Sequence, residues 1–205
     1  MVESHVFHDD PEDTREAIMA ATYDALCEYG YAGLTIANIA EQFEKSKSLL
    51  YHHYESKDEL LLEFLSFMLE QYDRLETDAD DESPLSQLER IFDRALLEER
   101  SEAPTDLLTA MVELRAQAAH DERFRDHFGE NDRVFVQQLV EIIEGGIEDG
   151  VFEPVDAESV AAFLMTTLTG SMNQRVTTES EYAEAVRSEL KRYLEDRLLA
   201  ATPTE

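Results

Sequence analysis

Apolar residues recur at intervals of three and four through most of the chain, and nowhere do they alternate in a sustained period of two. That spacing predicts helices and no sheet. Ile18, Ala21, Thr22, Ala25, Leu26 and Tyr29 fall on one face of a first helix, which Asp13 or Thr14 can cap and Gly30 can stop. Two short elements follow. "TIANIAEQF" starts at a capping Thr35 and points Ile36, Ile39, Ala40 and Phe43 inward. "KSLLYHHY" starts after a capping Ser46 and is anchored by Leu49 or Leu50 and by Tyr54. Ser56 then caps a longer helix beginning "KDELLLEFLSFMLEQYDRL".

Downstream the helical period continues. An acidic loop, "DADDESP" (78–84), leads to Pro84 near the start of a helix over 84–99, followed by helices over 104–119 and 123–149. Asp149-Gly150 closes the last of these, and "VFEPVD" is a short connector. Asp156 caps a helix to Val176, and a final one spans 179–200. Gly145-Gly146 lies inside the helical pattern, at a cost of roughly 1 kcal/mol per Gly relative to Ala, and predicts a kink or close packing. The expected fold class is all-α. Two short helices braced by a longer one outline a helix-turn-helix, and the rest outlines a helical bundle.

Charge complicates this picture. The 205 residues hold 47 acidic and 17 basic side chains, a formal net charge of −30, while 43% hydrophobic content is enough for a core. An acidic interaction protein, a DNA mimic and a salt-adapted protein all carry such a balance. The carboxylates are spread along the whole chain, which favours the salt-adapted, halophilic reading. Yet three of the four lysines, Lys45, Lys47 and Lys57, fall within 13 residues. The second short helix exposes Lys47, Ser48, His52 and Tyr51, a set able to reach phosphates and base edges.

Other chemistries are poorly served. There is no Gly-rich phosphate loop, nucleophile elbow or Cys–His pairing, so no enzyme and no cofactor are expected. Adjacent His52 and His53 point about 100° apart on a helix and do not share an ion easily. His5 and His8 sit on a polar segment, and His120 and His127 in a charged region, so no metal is expected either. Cys27 is the single cysteine, in an apolar helical pattern that makes it a buried small hydrophobe. With no apolar run long enough to span a membrane, a cytoplasmic location is expected.

The stretch "TIANIAEQFEKSKSLLYHHYESKDELL" (35–61), led in by Gly30, Leu34 and Thr35, resembles the DNA-binding domain of TetR-family transcriptional regulators. Ile-Ala-Glu (39–41), Tyr-His-His-Tyr (51–54) and Ser-Lys-Asp-Glu-Leu (56–60) carry the likeness. The resemblance implies a helix-turn-helix domain over 1–57 and a helical ligand-binding and dimerisation domain over 58–205. It implies a ligand-responsive regulator, most readily a repressor, reading double-stranded DNA as a homodimer on a palindromic operator, with no membrane partner. Thr35, Ser46, Tyr51, His52, His53 and Lys57 would meet the DNA backbone, and Lys47, Ser48 and Leu49 the bases. Where the family usually has Ala-Gly-Val in the turn, this chain has Phe43-Glu44-Lys45. That replaces a glycine suited to a left-handed turn and sets a carboxylate beside the phosphates, which puts any base contact by Lys45 in question.

If the resemblance holds, an unidentified small molecule is contacted by some of Phe64, Phe67, Met68, Phe92, Met111, Phe135, Met165, Thr169 and Asn173, although a plain core uses most of them. The last two helices offer a dimer face of Ala161, Ala162, Met165, Thr169, Gly170, Val186, Leu190, Tyr193 and Leu194, which an intramolecular core could equally use. The competing reading is an acidic helical interaction protein that has lost DNA binding or mimics DNA.

Overall fold

The structure, a computed structural model, describes residues 13–43, 47–76, 82–96, 105–178 and 182–200. The helices are α1 (Thr14–Gly33), α2 (Ile36–Gln42), α3 (Lys47–His53), α4 (Lys57–Glu76), α5 (Pro84–Leu96), α6 (Thr105–Gln117), α7 (Glu122–Glu148), α8 (Ala157–Thr177) and α9 (Ala183–Tyr193). No strand occurs among the described residues, as the period of the apolar positions requires; an isolated bridge between Phe152 and Leu199 is the nearest approach. None of these helices is long and apolar enough to cross a membrane.

The helix starts follow their capping residues. Asp13 accepts the Glu16 N–H at 2.8 Å, Thr35 that of Asn38 at 3.2 Å, Ser56 that of Glu59 at 3.2 Å, and Asp156 that of Ser159 at 3.1 Å. Each satisfies one of the four amides a helix leaves open at its N-terminus. Gly30, expected to end α1, instead breaks it. Its φ of 60° and ψ of 172° are non-helical, and the chain then completes one further turn, closed by Leu34 N–H donating to the Gly30 carbonyl at 3.1 Å.

Packing groups the chain into two units. The first comprises residues up to 78 together with 102–129. Its core gathers Ile18, Met19 and Leu26 of α1, Ile39 of α2, Leu50 of α3, Leu60, Leu61 and Phe64 of α4, Ala110 and Leu114 of α6, and Phe124 and Phe128 of α7. The second comprises 79–101 and 130–205. There Leu88 and Phe92 of α5, Leu139 and Ile143 of α7, Ala161 and Leu164 of α8, and Leu190 of α9 pack together. The boundary expected at 57/58 falls within the first unit.

Gly146 earns its place in α7 by contact. A Cβ there would lie 2.1 Å from Cδ2 of Phe152, a ring buried to 2% exposure. Phe152 is delivered by the turn at Gly150, whose φ is 69°, and is held by the C-terminal segment: Glu153 N–H donates to Leu198 C=O at 2.7 Å and Ala200 N–H to Val151 C=O at 3.0 Å. Residues 194–198 form a π-helical turn that presents Leu194 and Leu198 to the same core. Nothing lies within 4 Å of a Cβ on neighbouring Gly145. Gly146→Ala should therefore cost about 1–3 kcal/mol in urea unfolding by overpacking. Gly145→Ala should stabilise by up to about 1 kcal/mol through helix propensity alone. Equal effects of the two would refute the close-packing account.

Candidate nucleic-acid interface

Helix α2 packs on α1, and α3 packs on α2. Helix α2 is seven residues long, so its position rests on caps and anchors and not on its own propensity. Ile39 and Ala40 are buried, and Thr35 both accepts from Asn38 N–H and donates to the Asn38 side-chain oxygen. Phe43, at the end of α2, is buried and its N–H closes on the Ile39 carbonyl at 3.1 Å. Gln42 donates to Glu28 of α1 at 2.7 Å.

Helix α3, also seven residues, is pinned from below by Leu50 (0% exposed) and Tyr54 (7%). Burial pushes the Tyr54 hydroxyl up, with Glu63 adding to the effect, so Tyr54 stays a neutral anchor. Opposite these anchors stand Tyr51, His52 and His53, all exposed; Tyr51 shows 57% of its surface. Ser48 is exposed on the same short helix. The rings of His52 and His53 lie edge to face with centroids 5.9 Å apart. Among the described residues no group of three or more His, Cys, Asp or Glu side chains could hold a metal ion. Leu49 is half-buried against the core, so only part of it is left to meet a base. Lys45 and Ser46, with Glu44 and the side chain of Lys47, lie outside the described residues.

Lys57 stands at the start of α4 and is less free than the sequence suggests. Its ammonium donates to the Tyr31 carbonyl at 3.0 Å and lies 4.2 Å from the centre of the Tyr31 ring. Tyr31 is held at each of its polar atoms. Its N–H donates to Glu113 Oε2 of α6 at 2.7 Å, and its hydroxyl to Asp58 Oδ1 at 3.4 Å. Its ring meets Phe124 edge-on, with centroids 6.5 Å apart. Burial, reinforced by Asp58, raises the Tyr31 hydroxyl above the usual phenol range. Sequence reasoning missed this hub. Gly30 signalled a turn, but nothing near it in sequence points to Glu113.

The remaining site expectations divide between the units. Phe64 and Phe67 are buried in the first, with Met68 and Met111 packed against them. Phe92 is buried in the second, with Phe135 and Met165 packed against that core. Thr169 donates to the Met165 sulfur at 3.7 Å, and Asn173 is exposed. On the expected dimer face, Ala161, Leu190 and Leu194 are at most 2% exposed within the chain's own second core and offer little to a partner. Val186 and Tyr193 pack partly against that core, while Ala162 and Gly170 are exposed. An open groove of about 730 Å³ runs between α8 and α9, lined by Phe163, Tyr182 and Tyr193 among others. Phe163 and Tyr182 are 46% and 58% exposed, and the Phe163 and Tyr193 rings lie 4.9 Å apart. Phe163 lies two positions from Ala161, on the opposite side of a helical turn from that buried residue.

The anchoring of α2 and α3 separates structural from surface residues. Thr35→Ala should lower stability by about 0.5–2 kcal/mol through loss of the cap. Tyr51→Ala should stay within about 0.5 kcal/mol of the parent in the same denaturation experiment. A large loss at Tyr51 would contradict an outward-facing ring.

Comparison with known proteins agrees with this geometry. Residues 18–64 match the model described as bacterial regulatory proteins, tetR family, and residues 84–199 match that of the BetI-type transcriptional repressor, C-terminal. A TetR transcription regulator of known structure from Haloarcula marismortui is 36% identical, covers 90% of this chain and 97% of its own, and superimposes with a TM-score of 0.81. Nucleoid occlusion factor SlmA of Vibrio vulnificus is 28% identical over 157 residues, 75% of this chain and 78% of its own. HTH-type transcriptional repressor AcnR of Corynebacterium efficiens is 23% identical over 190 residues, 90% of this chain and 96% of its own.

Proposed function

Because the chain belongs to the tetR family of bacterial regulatory proteins, we propose that its ligand-responsive regulation of transcription takes the form of a homodimeric repressor on a palindromic operator. Family membership makes it a DNA-binding regulator and not an enzyme. The observation that carries the reading is α3: seven residues in which Leu50 is buried and Tyr51, His52 and His53 are exposed, with buried Tyr54 directly after them. A short helix spending an exposed aromatic and two imidazoles on solvent has a partner in view. Helix α3 enters the major groove; Lys47, Ser48 and Leu49 read bases, and Thr35, Ser46, Tyr51, His52, His53 and Lys57 meet the backbone. The DNA-reading part is 1–57, the part that senses the ligand and pairs is 58–205, and the protein works in the cytoplasm.

Pairing is supported by the groove between α8 and α9. It sets exposed aromatic rings among charges of both signs, Glu189, Arg192, Asp196 and Arg197, so a two-fold copy of the patch can match itself. Two-fold pairing suits half-sites about one helical turn, roughly 34 Å, apart. Phe163→Glu should convert the protein to a folded monomer in sedimentation equilibrium; an unchanged dimer would remove this face from the account.

The charge of −30 sets the energetic terms of binding. Residues up to 57 contain four basic and 11 acidic side chains, so the reading part is itself acidic. Ordinary counterion release from six phosphate contacts would lose roughly a thousandfold in affinity between about 0.5 and 2 M KCl. In a salt-adapted protein the affinity instead rests on hydrogen bonds, apolar contact and shape, with cations taken up between acidic faces and DNA. Titrations over that range should show a change of less than about tenfold. A steep loss would refute the salt-adapted reading. The double replacement Lys47→Ala and Tyr51→Ala should abolish specific binding to a duplex selected by the parent protein while the melting curve stays put. Retained specific binding would take the reading of DNA away from α3.

A further inference from the structure

Tyr31 sits where a helix has been deliberately broken. The non-helical φ/ψ of Gly30 turns the next peptide out of the helical direction, and Glu113 of α6 accepts its N–H at 2.7 Å. The fit is close: a Cβ on Gly30 would come within 3.2 Å of the same carboxylate oxygen, and at φ 60° a side chain there is strained in any case. The carbonyl of Tyr31 is taken by Lys57 at 3.0 Å and its hydroxyl by Asp58 at 3.4 Å. Lys57 and Asp58 form the first turn of α4, and α4 begins four residues after α3 ends at His53. One residue thus joins α6 to the root of the recognition helix through three hydrogen bonds.

A carboxylate hydrogen-bonded to a backbone amide fixes direction as well as distance. It is better placed than apolar packing to fix how α6 sits against the break in α1. We propose that Glu113 is a positioning residue for operator reading: by accepting the Tyr31 N–H it sets the angle at which α6 holds α3. The inference rests on the palindromic-operator reading above, because only a reader of two half-sites at once is sensitive to that angle. A single half-site is satisfied by any orientation of one DNA-reading part.

The experiment compares Glu113→Ala, Glu113→Asp and Glu113→Gln on two duplexes in anisotropy titrations. One is the operator selected from random duplexes by the parent protein; the other is that operator with one half-site scrambled. Asp keeps the charge but falls short of the amide, whereas Gln keeps both length and an acceptor oxygen. Ala and Asp variants should lose about tenfold on the full operator and no more than about twofold on the single half-site. The Gln variant should remain within about threefold of the parent on both. Should the Ala variant fail to fold, the Asp variant decides. Equal losses on the two duplexes, or none on either, would overturn the role of Glu113. A parent protein that binds the two duplexes equally would instead overturn the palindromic reading itself, so the two failures are told apart.

Discussion

A peptide N–H turned out of a helix loses its helical acceptor, and the one at Tyr31 finds another far along the chain. The acceptor is a carboxylate 82 positions along the chain, on α6. With Lys57 on the carbonyl and Asp58 on the hydroxyl, this single residue ties α1, α4 and α6 together with directional bonds. The core below supplies most of the free energy, through residues such as Met19, Leu26, Phe64 and Phe124 that are essentially excluded from solvent. Apolar packing alone leaves orientation loosely specified, however. The polar hub specifies it.

On that frame, α2 and α3 are small parts held by a few strong points. Neither reaches two full turns, a length at which an isolated helix does not persist in water. Thr35 at one end and Leu50 and Tyr54 beneath are what keep them in place. This frees the outward residues from any structural duty. Tyr51, His52 and His53 can be chosen for what they touch, and three of the chain's four lysines fall within 13 residues of sequence that include α3.

Much of this was legible in the sequence because it is local. Caps at Asp13, Thr35, Ser56 and Asp156 each act within three residues, and the helices they begin follow. The two short helices and their apolar anchors could be read from spacing for the same reason. What escaped depends on distant pairs. Glu113 looks like any other carboxylate until the fold brings it to Gly30. Lys57 looks like a surface cation until its ammonium is found on the Tyr31 carbonyl and ring. Gly146 read as a weak point, while its contact with Phe152 is set by the turn at Gly150 and the pairing of the C-terminal segment. Ala161, Leu190 and Leu194 have the periodicity of a helical face, and periodicity does not say whether the chain or a second copy covers it.

The central claim is that an acidic protein reads DNA through α3. It is tested most directly by fluorescence anisotropy of the purified chain with DNA from upstream of its own gene, against a scrambled duplex of equal length, in about 2 M KCl, where nonspecific phosphate attraction is suppressed. The account predicts saturable binding to the upstream duplex and none to the scrambled one. Absence of specific binding at every salt concentration, from protein shown to be folded, would contradict it.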